Sequence, residues 1–226
     1  MSYGTIADTV RDIRRRVKHA AGGGAENVTL VAVSKSVPAE MIREAIRAGV
    51  DAVGENRVQE WMEKDGQGAY EGAPFHFIGR LQKNKVSKLV GRAELIQSVD
   101  SLALAEMIDV CAGKAGVCQS VLAQVNIAME DTKGGFPPEE LPDALTAMSS
   151  LQNIRVRGLM CIPPPMRIHG DSRHFERMRT LYDDLRRQSI DSIRMEILSM
   201  GMSDDFEAAV QAGANMIRIG SVLFNP

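Results

Sequence analysis

Apolar residues in this chain come in short, nearly continuous runs, and stretches of helical periodicity separate them. The runs are Val28-Thr-Leu-Val-Ala-Val-Ser34, Ala52-Val-Gly54, Phe75-His-Phe-Ile78, Leu95-Ile-Gln-Ser-Val99, Ser120–Ile127, Val156–Met160, Met195-Glu-Ile-Leu-Ser199 and Met216-Ile-Arg-Ile219. Apolar residues at successive rather than alternate positions fit strands covered on both faces. The intervening stretches predict helices over Pro38–Ala48, Val58–Lys64, Lys83–Val90, Leu102–Ala112, Pro138–Ser149, Ser172–Arg187 and Asp204–Ala212. Pro38 in a first turn and Gly49 just past a last one are start and stop signals. One more helix, Thr5–Ala20, precedes the first strand and runs into Gly22-Gly23-Gly24. Eight strands, each but the last followed by a helix, predict a single-domain (β/α)8 TIM barrel over residues 1–226 with an extra N-terminal helix. A doubly wound open sheet is the alternative that the same alternation allows.

The bulk numbers narrow the function classes. The chain has 226 residues, 44% of them hydrophobic, and a formal net charge of −2. That suffices for one large core, and the near-neutral charge gives no reason to expect nucleic acid or an anionic membrane. No run approaches the roughly 18 apolar residues of a membrane span, and the polar N-terminus lacks a secretory apolar core. A cytoplasmic protein is the expectation. Cys111, Cys118 and Cys161 are odd in number and at no metal-ligand spacing, so buried free thiols are expected, with no metal site.

In a parallel barrel the reactive groups gather at the C-terminal ends of the strands, and phosphates often bind in the loops after strands seven and eight. Those loops here are Met200-Gly-Met-Ser203 and Arg218-Ile-Gly-Ser221. Gly201 would let the backbone approach a ligand, and Ser203 would cap the next helix beside an anion. Gly220 and Ser221 would complete a nest of N–H groups. Either turn alone is explained by capping or chain reversal; the pair, on adjacent strands, points to a phosphate.

Lys35 ends the first predicted strand and is expected at the barrel mouth. A partly desolvated pocket there would lower its pKa and make it a competent amine for a Schiff base, whereas a surface lysine is the plain alternative. A phosphate across the mouth favours the reactive reading, because an aldehyde that carries a phosphate is pyridoxal phosphate. Arg218 lies inside an apolar run and must meet an acceptor within the mouth. That acceptor is either a pyridine nitrogen or an inward carboxylate such as Glu55. Asn56 would hydrogen-bond the ring's phenolic oxygen or make a turn. His76 reads as a satisfied core histidine, and His169 and His174 as surface residues. Arg80-Leu-Gln-Lys-Asn-Lys85 and Lys133 read as solvated loops, with a second anion site as the sharper alternative.

At these residues the chain resembles a known family. Leu30-Val-Ala-Val-Ser-Lys35, Gly54-Glu-Asn-Arg-Val-Gln-Glu60, His76–Lys85, Gln124-Val-Asn126 with Thr132-Lys-Gly-Gly135, Gly158-Leu-Met160, Leu198–Asp204 and Arg218-Ile-Gly220 are similar to segments of the pyridoxal phosphate homeostasis proteins. These are single-domain barrels like the N-terminal domain of alanine racemase (fold type III). The matches cover nearly the whole chain in order. The resemblance implies that Lys35 holds pyridoxal 5′-phosphate as a Schiff base. It also implies phosphate contacts from Gly201, Ser203, Gly220 and Ser221, and Arg218 near the ring nitrogen. Departures are the ending Phe224-Asn-Pro226, where glycine usually follows the phenylalanine, and Cys161. The implied role is a carrier or buffer of the cofactor with no established catalysis, acting as a monomer, with apoenzymes and free amino acids as partners. An amino-acid racemase is the alternative, and a phosphosugar enzyme using Lys35 without the cofactor is a third reading. Racemases take a second base, a tyrosine, from an extra β-domain, and no tyrosine here falls on a predicted strand end.

Overall fold

Eight parallel strands close into a barrel in chain order. The computed structural model describes residues 4–22, 28–130, 132–164 and 172–224. Strands β1 (Thr29–Val33), β2 (Ala52–Glu55), β3 (Phe75–Phe77), β4 (Leu95–Val99), β5 (Gln119–Val125), β6 (Ile154–Cys161), β7 (Ile197–Ser199) and β8 (Met216–Ile219) each fall within or beside an expected apolar run. Closure comes from β1 pairing with β8, where Val31 lies opposite Arg218 and Ala32 opposite Ile219. The open-sheet alternative is thereby excluded.

Two layers of apolar side chains explain why the strands are apolar on both faces. Val31, Ala52, Leu95, Leu122, Met160, Ile197 and Met216 form one cluster that fills the barrel. A larger cluster packs the outer faces of the strands against the helices and includes Leu30, Ala32, Ile96, Leu198 and Ile217. A closed eight-stranded barrel is just wide enough for side chains to fill it, so its interior is a core and not a pore.

The helices are α1 (Ile6–Ala20), α2 (Ala39–Arg47), α3 (Val58–Asp65), α4 (Val86–Leu89), α5 (Leu102–Ala115), α6 (Leu141–Ser149), α7 (Arg173–Gln188), α8 (Phe206–Gln211) and α9 (Ser221–Phe224). Two of these depart from expectation. The stretch Lys83–Val90 splits into a 3-10 turn over Lys83–Lys85 followed by the short α4. The last strand is also followed by a helical turn, α9, which was too short to show a period. Helix α1 starts with a capping box, in which the Asp8 N–H donates to the Thr5 hydroxyl at 3.1 Å and the Thr5 N–H donates to Asp8 at 3.0 Å. It buries Ile6, Val10, Ile13 and Val17 on one stripe. That stripe packs on α2, α8 and α9, filling the helical ring where β8 meets β1. Gly23, Gly24, Tyr3, His169 and the final Asn225-Pro226 lie outside the described residues.

Candidate functional site

Because all strands run the same way, the residues that follow them share one end of the barrel. There the turns after β7 and β8 meet through one side chain. The Ser203 hydroxyl accepts from the Gly220 N–H at 3.3 Å and from the Val222 N–H at 3.5 Å. Ser203 is therefore not the cap expected of it. Asp205 precedes α8 in that position, and its carboxylate accepts the Met202 N–H at 2.7 Å. The physical reason is register: α8 begins at Phe206, too late for Ser203 to reach its first free N–H groups. Burial pushes the Asp205 pKa up, with the Met202 hydrogen bond opposing it. Gly201 has φ +92, and a Cβ on it would lie 2.6 Å from the Ala209 Cβ. Its glycine is thus required by backbone conformation and by the approach of α8. Ser221 is exposed and begins α9.

Lys35 lies two residues past the end of β1 and is exposed. The partly desolvated pocket expected around it is not seen, because its side chain extends from a turn that no described element covers. Its side chain makes no hydrogen bond or ion pair among the described residues. Its neighbours in the chain are, by contrast, firmly held. The Ser34 hydroxyl donates to the Gly54 carbonyl at 3.1 Å and to Glu55 at 3.0 Å. The Ser34 carbonyl accepts from Lys64 at 2.6 Å, and the Ser36 N–H donates to Glu60 at 2.5 Å. Lys64 Nζ also reaches Glu55 at 2.8 Å and Glu60 at 2.6 Å. Ser36 has φ +58, a left-handed conformation that a serine holds at some cost. A cluster of buried Glu55 and Lys64 with half-buried Glu60 therefore clamps the backbone on either side of Lys35. Burial raises the Glu60 pKa, but hydrogen bonds from Lys64 and Ser36 outweigh it and the net direction is down.

Arg218 is 3% exposed, and burial lowers its pKa. Its partner is not Glu55, which is committed to Lys64. Nη1 donates to the Ser199 hydroxyl at 2.6 Å and Nη2 to the Cys161 carbonyl at 2.8 Å. From there a hydrogen-bonded chain crosses the barrel. Arginine has no lone pair to offer, so Ser199 must accept from it and pass its own proton to Gln97 Oε1 at 2.7 Å. Gln97 then turns its amide N–H to His76 Nδ1 at 3.0 Å, which fixes the histidine proton on Nε2. That nitrogen lies 4.0 Å from Glu94, whose pKa is lowered first by its interaction with His76. His76 is a satisfied core histidine, as its place in an apolar run suggests.

Asn56 follows β2 at the same end. Its N–H donates to Glu55 at 2.7 Å, and its side-chain Oδ1 is buried with no partner. Lys133 is paired with Glu130 at 2.5 Å. Among the described residues no group of His, Cys, Asp and Glu could hold a metal ion.

Residues 5–226 match the family described as alanine racemase, N-terminal domain. A pyridoxal phosphate homeostasis protein of Aquifex aeolicus is 43% identical over 210 residues, 90% of this chain and 89% of its own. The chain belongs to the family of the alanine racemase N-terminal domain, on the branch of the pyridoxal phosphate homeostasis proteins. PipY of Synechococcus elongatus, in its structure with PLP bound, superposes on this member with a TM-score of 0.85 at 37% identity, covering 97% of this chain and 100% of PipY. Alanine racemase of Clostridium difficile shares the fold at a TM-score of 0.75 and 19% identity, over 96% of this chain but 55% of the racemase.

Sequence reading brought Lys35, Asn56, Gly201, Ser203, Gly220, Ser221 and Arg218 forward, and the structure sets all of them at the C-terminal end of the barrel. It missed Lys64, Glu60, Gln97 and Ser199, whose hydrogen bonds hold the backbone around Lys35 and the Arg218 guanidinium. Gln97 and Ser199 carried the same signal as Arg218, a polar residue inside an apolar run. Glu60 and Lys64 stand one helical turn apart on α3, a spacing that signals an ion pair but does not say that it is buried.

Proposed function

We propose that this chain binds pyridoxal 5′-phosphate and serves cytoplasmic cofactor homeostasis as a carrier, without turning over a substrate of its own. The observation that supports this most is the unpaired Lys35 amine at the same end of the barrel as two turns joined through Ser203, in a chain that aligns along its length with PipY. Three features fit the group. Asn56 Oδ1 is buried without a donor, which a ligand hydroxyl would supply. The Gly220 and Val222 N–H groups are held only by long bonds to Ser203, and a phosphate oxygen is the stronger acceptor. Lys35 has a free amine on a clamped backbone.

When bound, the cofactor supplies an aldehyde on which amines exchange. Lys35 provides the amine that holds it, and Gly201, Ser203, Gly220 and Ser221 hold its phosphate. Arg218 is assigned to the ring nitrogen. A permanent cation there keeps that nitrogen unprotonated and weakens the ring as an electron sink. Free amino acids and recipient apoenzymes are the proposed exchange partners.

Racemisation would require a second base, and the described residues offer poor ones. Tyr182 donates its hydroxyl to the Met195 carbonyl at 2.5 Å, and Tyr70 is buried with its ring tilted against Phe75 at the start of β3. The Cys161 thiol is pushed up to about 12 by burial, so it stays protonated.

The test is cofactor retention. Wild type should leave gel filtration yellow with one pyridoxal phosphate per chain. Ser203→Asp sets a carboxylate against the phosphate, a clash of about 4 kcal/mol for unit charges about 4 Å apart at an effective dielectric near 20. It should lose cofactor faster than Lys35→Ala. Equal loss from wild type and Ser203→Asp would remove the phosphate from these turns.

A further inference from the structure

The basic segment after β3 is not used by the cofactor reading, and it lines a cleft. A cavity of about 640 Å³ opens beside the ends of β2, β3 and β4. Its rim carries Arg57, Arg80, Lys83 and Lys85 against one carboxylate, Asp100. Among the described residues the side chains of Arg80, Lys83 and Lys85 form no hydrogen bond or ion pair, and Arg57 has only a field contact with Glu60. This sets them apart from Lys133 and from Arg16, Arg43, Arg157 and Arg179, each of which faces a carboxylate within 3.0 Å. The wall is apolar where it is deep: Val58, Phe77, Leu81 and Leu104 are buried and line the cavity.

We propose that this cleft binds a phosphorylated heterocycle of mononucleotide size, carrying two or more negative charges. The volume falls within the range of small-molecule sites, roughly 300–1,000 Å³, and such sites combine an apolar lining with a few polar groups. Four cations against one acid leave a positive surplus that favours a multiply charged anion over a neutral ligand. Arginine and lysine are the side chains that take up phosphate. The position is the functional end of the barrel, where loops after the strands build sites. The cleft shares Asn56 with the cofactor site and none of the β7 or β8 turn residues, so it goes beyond the carrier reading and stands without it.

The experiment is isothermal titration of the cofactor-loaded protein with ADP, with pyrophosphate, adenosine and poly-L-glutamate as separate probes. Cofactor loading is followed independently by absorbance. Saturable binding of one ADP per chain is expected, tighter than either pyrophosphate or adenosine. The triple variant Arg80→Gln, Lys83→Gln, Lys85→Gln should bind ADP at least tenfold more weakly while loading cofactor normally. Ser203→Asp titrated without cofactor should bind ADP as cofactor-free wild type does, which separates this cleft from the phosphate turns. Unsaturable binding, undiminished binding by the triple variant, or pyrophosphate as tight as ADP would overturn the proposal. So would poly-L-glutamate displacing ADP, since the surface would then serve an acidic polypeptide.

Discussion

Replacing Lys64 by methionine isolates the clamp beneath Lys35. Lys64 is 8% exposed and Glu55 is fully buried, so the substitution leaves a carboxylate inside the protein without its cation. It also removes hydrogen bonds of 2.6, 2.8 and 2.6 Å to the Ser34 carbonyl, Glu55 and Glu60. Removing one partner of a buried pair costs about 3–5 kcal/mol. The lower end, about 3 kcal/mol, is expected, because Glu55 keeps its bonds from the Asn56 N–H and the Ser34 hydroxyl. The double variant with Glu55→Gln should recover about 1–2 kcal/mol, since the stranded charge is gone while the amide oxygen still accepts the Asn56 N–H and the Ser34 hydroxyl keeps the Gly54 carbonyl. Urea unfolding followed by fluorescence of the single tryptophan reads this out. Trp61 is buried on α3 between Glu60 and Lys64 in sequence and stacks on Phe75 at 5.1 Å. Lys64→Met should also release cofactor faster than wild type, because Ser34 loses its direct bond to Lys64 and the Glu60 that holds Ser36 loses its cation. A Lys64→Met protein within about 0.5 kcal/mol of wild type, or a double variant less stable than the single, would refute the charge argument.

Acid should loosen the same clamp. Glu60 has a folded pKa below its unfolded value, so its contribution is complete above the unfolded pKa and is lost as pH falls through the folded one. Cofactor release measured against pH should therefore be flat near neutrality and accelerate only at acid pH, and Glu60→Gln should remove the acid limb. Thiol labelling of the native protein should modify exposed Cys118 readily, half-buried Cys111 slowly, and buried Cys161 only after unfolding; prompt labelling of Cys161 would contradict the packing of β6. Incubation with L-alanine in deuterated water should give no steady accumulation of deuterated D-alanine. Its appearance in wild type and loss in Lys35→Ala and His76→Ala would favour the racemase reading.

The barrel was legible because each strand is buried on both faces, so apolar runs such as Leu95–Val99 and Met216–Ile219 mark their own limits. Ends were less legible where a polar residue is buried by pairing. Ser34 was expected in the first strand and Glu55 as an inward carboxylate, and both are fully buried, but their common partner Lys64 lies on α3, where no strand pattern points to it. Arg218 announced itself as a charge in an apolar run, but its partners lie 19 and 57 residues away on β7 and β6, and no local pattern names them. Ser203 illustrates the opposite failure. A serine ahead of a helix suggests a cap, but the start of α8 and the nearness of the β8 turn are tertiary facts, and they turn its hydroxyl toward Gly220. Cys118 was expected to be buried and is exposed, because the strand it precedes begins only at Gln119.

The central claim is that Lys35 is the amine that holds pyridoxal phosphate. The direct measurement is borohydride reduction of the cofactor-loaded protein followed by peptide mapping. The account predicts one phosphopyridoxyl group per chain, on the peptide containing Lys35, and none on the corresponding peptide of Lys35→Ala. The label on Lys83, Lys85 or Lys133 in its place would contradict it.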